Sequence, residues 1–219
     1  RLEAVIIDPT RLRSDVAKET IAGASDLIEH YVTLTASEFE RISSRDNPVG
    51  IAAIVRWRPL SLESLLPEAD GLYLVADDVR DPGNLGTLIR ATDAAGGAAV
   101  IVRGGAGPSH PGALRASLGT TFELPVAVAG TIDDVFTWAV QRGVQTIATS
   151  ARASVDLWDF DERFPLAILV GNEGEGLPDE TTRRCDACVR IPMRGTATSL
   201  NVSVAAGIVL FELARRGQA

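Results

Sequence analysis

Three stretches of this 219-residue chain hold residues whose types and spacing could do chemistry. The first is Asp77-Asp-Val-Arg-Asp-Pro-Gly-Asn-Leu-Gly-Thr-Leu-Ile-Arg90. A strand ends there, Asp-Pro-Gly turns the chain, and a helix is predicted from about Asn84. Open α/β sheets bind ligands at the carboxyl ends of their strands. Asn84 and Gly86 stand at the helix mouth, where free amides attract anions. Arg90 lies four residues past Gly86, so it returns to that face about one turn further in. A helix start accounts for Asn84 and Gly86. It does not account for an arginine inside Leu88-Ile89-Arg90-Ala91, and Arg90 is therefore read as functional.

The second stretch is Leu169-Val-Gly-Asn-Glu-Gly-Glu-Gly-Leu-Pro178. A strand enters a tight loop whose glycines allow close backbone approach, and Pro178 opens a helix. A dinucleotide fingerprint would follow the first strand and read G-x-G-x-x-G. Here the glycines fall at 171, 174 and 176, late in the chain, and Glu173 and Glu175 would repel a pyrophosphate. A neutral or cationic ligand fits better. The third stretch runs from Ile191 to Ala205. Pro192 stops a short strand, a loop of small residues follows, and Asn201 caps a helix. A plain cap does not need the whole run Ser199-Leu200-Asn201-Val202-Ser203.

The elements that must position these stretches can be read in order. Residues 1–57 form a first αβ segment with strands at 2–7, 31–35 and 50–55. Its helices are predicted from Asp15 to about His30 and after Ser37, which pairs with Glu40 as a capping box. This segment is too short for a large core, and its opening at Arg1 suggests that residues upstream are missing. Residues 58–70, with Pro59 and Pro67, read as a linker. From 71 to 219 apolar strands alternate with helices, at 71–76, 98–102, 122–126, 144–148, 166–170 and 189–191. That alternation implies a mostly parallel sheet covered on both faces. The expected fold class is α/β.

Composition narrows the function. The 46% hydrophobic and 23% charged content is ordinary for a soluble domain. No run is long enough to span a bilayer. The net charge of −8 argues against indiscriminate nucleic-acid binding but allows a local basic surface. Two cysteines suggest a reducing compartment, and the cytoplasm is the expected location. Cys185-Asp-Ala-Cys188 is a lone C-x-x-C. Zinc wants four ligands, and only His30 and His110 exist elsewhere, so no metal is expected.

Taken together the three stretches resemble the SPOUT class of methyltransferases, in its SpoU (TrmH) branch of RNA ribose 2′-O-methyltransferases. The resemblance covers about residues 71–216. It rests on Asn84-x-Gly86-x-x-x-Arg90, on Gly171-Asn-Glu-Gly-Glu-Gly-Leu177, and on Ile191-Pro-Met with Ser199-Leu-Asn-Val-Ser203. It implies a C-terminal trefoil knot and S-adenosyl-L-methionine as cofactor. By the resemblance the cofactor-binding residues are Gly171, Ile191 and Leu200, with Thr149, Ser150 and Met193 nearby. The catalytic set is Arg90, aided by Asn84, Glu173, Ser199 and Asn201. Residues 1–57 resemble the later part of an L30e-like RNA-binding domain. A homodimer is implied, with Val204, Ile208, Phe211 and Leu213 of the last helix as the residues to watch. RNA is the expected substrate, ribosomal RNA first. A base methyltransferase of the same class, a tRNA 2′-O-methyltransferase and a non-catalytic knotted RNA-binding protein are the alternatives.

The family assigns removal of the 2′-hydroxyl proton to the arginine at position 90. Arginine stays protonated, with a pKa above about 12. Holding an RNA phosphate and stabilising the forming alkoxide is the easier role for it, with water or phosphate taking the proton. Other residues are left with smaller roles. Arg56-Trp57-Arg58 reads as a domain edge with solvated arginines rather than an RNA contact. His110 reads as an exposed loop residue, and Arg215-Arg216 as a solvated helix end. Arg115 and Ser117 stay open between RNA or cofactor proximity and structure.

Overall fold

The computed structural model describes residues 2–43 and 45–217; Arg1, Ser44, Gln218 and Ala219 lie outside them. The chain divides into two compact units, Arg1–Arg58 and Pro59–Ala219. In the first unit β1 (Leu2–Ile7) lies between β2 (His30–Thr33), parallel to it, and β3 (Ile51–Val55), antiparallel. Helix α1 (Asp15–Gly23) is shorter than the sequence predicts and gives way to a 3-10 turn at Ser25–Leu27. Helix α2 (Ala36–Ile42) is capped by Thr35 with Glu38, not by Ser37 with Glu40. Both pairs match the capping-box spacing, and the one nearer β2 wins. Arg56 is paired with Glu3 rather than free.

The larger unit is built on an eight-stranded sheet. Its strands are β4 (Leu60–Ser61), β5 (Leu72–Asp77), β6 (Ala99–Arg103), β7 (Val126–Ala129), β8 (Gln145–Thr149), β9 (Val155–Asp156), β10 (Leu166–Val170) and β11 (Ala187–Arg190). Their order is β4-β7-β6-β5-β10-β8-β11-β9, and every neighbouring pair is parallel. The helices are α3 (Pro82–Ala94), α4 (Pro111–Ala116), α5 (Ile132–Arg142), α6 (Asp179–Arg184) and α7 (Val202–Gly217). All six residues of β5 and all five of β10 are buried, as a strand covered on both faces must be. One face packs Tyr73, Val75, Ala99 and Ile101 against Val135, Phe136 and Trp138 of α5. On the other face α3 packs between α4 and α7.

Two expectations need correction. The stretch 58–70 is not a free linker, because β4 pairs with β7 and Leu62 and Leu65 are buried in the α5 core. Trp138 fixes this segment by donating its indole N–H to the Leu65 carbonyl at 2.9 Å. The strand expected at 122–126 begins only at Val126. Residues 117–124 instead close turn bonds on themselves, with Glu123 and Leu124 both donating to the Thr120 carbonyl at 3.0 and 2.9 Å. Among the described residues no helix is long and apolar enough to cross a membrane.

Candidate active site

Helix α3 starts two residues earlier than expected. Asp81 is its N-cap, accepting from the Asn84 amide at 2.7 Å, and Pro82 takes the first turn, where its missing donor costs nothing. Asn84 thus sits in the first turn with its side chain free to bond outward. Its Nδ2 donates to Glu173 Oε1 at 3.0 Å, and its Oδ1 accepts from Asn201 Nδ2 at 3.0 Å. Ser203 Oγ donates to the Asn84 carbonyl at 3.1 Å. Asn201 caps α7 as predicted, its Oδ1 accepting from the Ser203 amide at 2.9 Å. One asparagine therefore joins all three stretches at the carboxyl edge of the sheet.

Glu173 is a clamp within this joint. Beyond Asn84 it accepts from the Arg80 amide at 3.2 Å and the Asp81 amide at 3.1 Å. Partial burial pushes its pKa up, but the bonds from Asn84, Asp81 and Arg80 outweigh that and hold it below the usual carboxylate value. Asn172 reinforces the clamp. Its Nδ2 donates to the Asp78 carbonyl at 3.1 Å, and its Oδ1 accepts from the Gly174 amide at 2.8 Å. The 77–81 loop is also held from below. Asp77 is fully buried and paired with Arg103 of the next strand, while the Asp78 amide donates to the Arg103 carbonyl at 2.8 Å. Burial raises the Asp77 pKa and Arg103 opposes it. Asp77, Asp81, Arg103 and Asn172 were not predicted as site residues. Asp81-Pro82 carried a readable cap-plus-proline signal, but the β5–β6 pair needed the sheet register.

Two glycines are required by close approach. A Cβ on Gly86 would lie 2.2 Å from the Ala113 carbonyl oxygen, so α4 rests directly on α3 there. A Cβ on Gly171 would lie 2.2 to 2.4 Å from backbone atoms of Gly176 and Leu177. The 171–177 loop folds onto itself, with the Gly176 amide donating to the Asn172 carbonyl at 2.8 Å.

Arg90 lies apart from the joint. Six residues separate it from Asn84, which places it about 9 Å along the axis and roughly a third of a turn away. It is exposed, and its side chain makes no ion pair or hydrogen bond among the described residues. It does not tie α3 to Glu173. Ser199 is exposed as well. The residues expected around the cofactor gather at the carboxyl ends of three adjacent strands. Thr149 ends β8 and Ser150 follows it, Gly171 follows β10, and Ile191 follows β11. Thr149 Oγ1 donates to the Leu169 carbonyl at 3.1 Å, and the Ser150 amide to the Val189 carbonyl at 3.0 Å. Met193 is 39% exposed, and Ile191 and Leu200 are half-buried. Residues 193–199 are all exposed, and none of their amides donates to another backbone group among the described residues. Such a loop has donors and acceptors to spare for the edge of a purine.

The matching profile over residues 71–211 is that of the SpoU rRNA Methylase family. The chain belongs to this family. It is 34% identical over 216 residues to a 23S rRNA (guanosine-2′-O-)-methyltransferase RlmB of Pseudomonas syringae, covering 94% of this chain and 86% of that protein. A 23S rRNA (uridine(2479)-2′-O)-methyltransferase of Streptomyces viridochromogenes is 32% identical over 207 residues, 92% of this chain and 69% of that one. Among solved structures, an AdoMet-bound rRNA methyltransferase from Sinorhizobium meliloti superposes with a TM-score of 0.86 at 35% identity, covering 98% of this chain and 80% of that one. The AdoMet complex of the SpoU methyltransferase AviRb from Streptomyces viridochromogenes gives 0.87 at 28% identity, covering 99% and 83%. In this SpoU chain the remaining motif-like residues have structural partners. His110 caps α4 through Nδ1, accepting from the Gly112 amide at 3.0 Å. Burial, then Cys188 and Asp186, push the Cys185 thiol up to about 12, so it packs as a neutral thiol. Arg216 is not a solvated helix end. It donates to Glu212, Glu162 and the carbonyls of Leu157, Trp158 and Phe160 at 2.6 to 3.1 Å.

Proposed function

We propose that this chain transfers a methyl group from S-adenosyl-L-methionine to a ribose 2′-hydroxyl of RNA, with 23S ribosomal RNA as the substrate class. The observation that carries the reading is the Asn84 joint. It draws the first strand–helix corner, the acidic loop and the α7 cap to one point at the carboxyl edge. When bound, the cofactor supplies an electrophilic methyl on a sulfonium, which a neutral or acidic loop tolerates. Thr149, Ser150, Gly171, Ile191, Met193 and Leu200 would hold it, chiefly through backbone groups, with the exposed 193–199 segment beside them. Asn84, Glu173 and Asn201 keep the rims of that cradle in fixed register. Arg90, whose guanidinium has no ion pair among the described residues, holds the RNA phosphate beside the reacting ribose or steadies charge on its oxygen. Ser199 is left free to bond the ribose. Holding the 2′-oxygen in line with the methyl supplies much of the rate.

The same reading takes residues 1–57 as a partial L30e-like RNA-binding domain and places the protein in the cytoplasm. It takes the C-terminal part as a trefoil knot, supported by β10 lying between β5 and β8 although β8 precedes it in the chain. It includes a homodimer through α7. Val204 and Phe211 are 51% and 53% exposed, whereas Leu213 is fully buried and drops out of that surface. The test is methyl transfer from labelled cofactor to total RNA, followed by alkaline hydrolysis. A 2′-O-methyl leaves an uncleaved dinucleotide. Label that appears only on bases, or no transfer at all, would refute the reading.

A further inference from the structure

Apart from Arg115, which is also engaged, the arginines of the larger unit fall into two sets. Arg80, Arg103, Arg184, Arg190, Arg215 and Arg216 are each neutralised by a carboxylate. Arg90, Arg142, Arg152, Arg163, Arg183 and Arg194 have no ion pair among the described residues. Three of this second set lie at the amino edge of the sheet. Arg142 ends α5 ahead of β8, Arg163 precedes β10, and Arg183 stands in α6 ahead of β11. Arg90 is inside α3. Only Arg152 and Arg194 stand on loops that leave the carboxyl ends of strands.

The topology brings these two loops together. β11 lies between β8 and β9, so residues 150–154 must cross over the carboxyl end of β11 to reach β9. That end is where Ile191 leaves for Arg194. The crossing is short and pinned on both sides. The Ser150 amide donates to the Val189 carbonyl at 3.0 Å, and Val155 and Asp156 pair with Val189 and Arg190. Within it the Ala153 amide donates to the Ser150 carbonyl at 3.2 Å and the Arg152 amide to Ser150 Oγ at 3.2 Å, a turn that lifts Arg152 into solvent. Asp156, the carboxylate nearest this crossing in sequence, is spent on Arg190. Both side chains are exposed; Arg152 lies two residues after Ser150 and Arg194 directly after Met193, both expected cradle positions. A chain of net charge −8 thus carries two arginines without an ion pair among the described residues on neighbouring loops of its carboxyl edge.

Resting on the functional reading above, we propose that Arg152 and Arg194 form a two-guanidinium clamp for a singly charged oxyanion at the rim of the cofactor cradle. Two sources of that chemistry come to this rim, a phosphodiester of the RNA beside the reacting nucleotide and the carboxylate of the cofactor's amino-acid tail. Planar guanidiniums suit either, through paired N–H donors.

The test uses the full chain with Arg152→Gln, Arg194→Gln and the double variant, and Arg142→Gln from the opposite edge as the charge control. Melting temperatures check folding. Calorimetry with S-adenosylhomocysteine and with 5′-methylthioadenosine, which lacks the tail, reads the first source. A loss of roughly ten-fold or more for the former alone assigns the clamp to the cofactor carboxylate. Fluorescence anisotropy with a labelled single-stranded RNA oligomer, across a salt series, reads the second. A fall in the slope of log affinity against log salt of about 0.7 per arginine assigns it to RNA phosphate. Variants that match wild type and Arg142→Gln in both assays overturn the clamp. Failure of the functional reading would look different, because wild-type protein would then bind neither probe and the clamp would fall with it.

Discussion

Glu173→Gln separates a clamp from a base at the centre of the site. The carboxylate accepts three hydrogen bonds, from the Arg80 and Asp81 amides and from Asn84 Nδ2, at 3.2, 3.1 and 3.0 Å. Glutamine keeps one acceptor oxygen and turns an NH2 group toward at least one of these donors. Bonds to a charged acceptor are worth about 1.5–3 kcal/mol each when sheltered. Glu173 is exposed, so solvent screening cuts that, and a total loss of about 2 kcal/mol is expected. In a chain of this size that lowers the melting temperature by about 4–8 °C. The pH dependence has a defined sign. A carboxylate whose folded pKa is lowered contributes its stability above the ordinary value of 4.5 and loses it as pH falls through the folded value. The gap between wild type and variant should therefore be full at neutral pH and narrow below about 4.5. Because the clamp joins the 171–177 loop to α3, affinity for S-adenosylhomocysteine should fall together with stability. Melting and calorimetry at several pH values check this. A variant with wild-type melting and cofactor affinity but collapsed turnover would refute the clamp and point to a direct catalytic role for the carboxylate.

Three further outcomes follow from the geometry. Gly171→Ala puts a Cβ 2.2 Å from backbone of the same loop, so melting temperature and S-adenosylhomocysteine affinity should drop together; unchanged melting with lost binding would mean a simple steric block of the cofactor. Arg90→Ala removes an exposed side chain with no ion pair or side-chain hydrogen bond among the described residues, so stability should stay within about 0.5 kcal/mol of wild type while turnover falls about a hundred- to thousand-fold in single-turnover assays. Arg216→Met strips the return segment 157–162 from α7, and a reduced melting temperature with faster hydrogen exchange there is expected. Arg215 and Arg216 hold Glu212 down at about 2, so in wild type this contribution is present above about 4.5 and lost as pH falls toward 2; the variant should show a flatter acid limb in a pH–melting series.

Much of the larger unit was legible from the sequence because parallel strands announce themselves as apolar runs. Leu72–Asp77 and Leu166–Val170 were found within a residue or two for that reason. The two-residue strands β4 and β9 were not, since a pair of residues has no periodicity to read. Leu60 and Ser61 looked like linker because Pro59 and Pro67 flank them, and only pairing with Ala127 and Val128 makes them a strand. At the site, the residue types at 84, 173 and 201 were legible, but their bonds to one another span 89 and 117 positions and are set by topology. The same holds for Arg216, whose five donors meet residues more than 50 positions upstream as well as Glu212 four back. Local sequence showed only an arginine near a helix end.

The partners on Asn84 bear on what can take the ribose proton. Asparagine amides at 84 and 201 do not accept protons at neutral pH, and they are bonded to each other. Glu173 has both oxygens occupied and a lowered pKa, which makes it a weak base with little room to turn. Arg90 is a permanent cation standing about two helical turns from the joint. The groups gathered at this edge are therefore suited to fixing geometry rather than to moving a proton. The cofactor would supply a methyl on a sulfonium, and as its carbon–sulfur bond gave way to the ribose oxygen, water or the neighbouring phosphate would collect the proton. On this view the hydrogen-bonded joint matters because it sets the distance and angle between cradle and ribose, where an error of about 1 Å costs about a hundred-fold in rate.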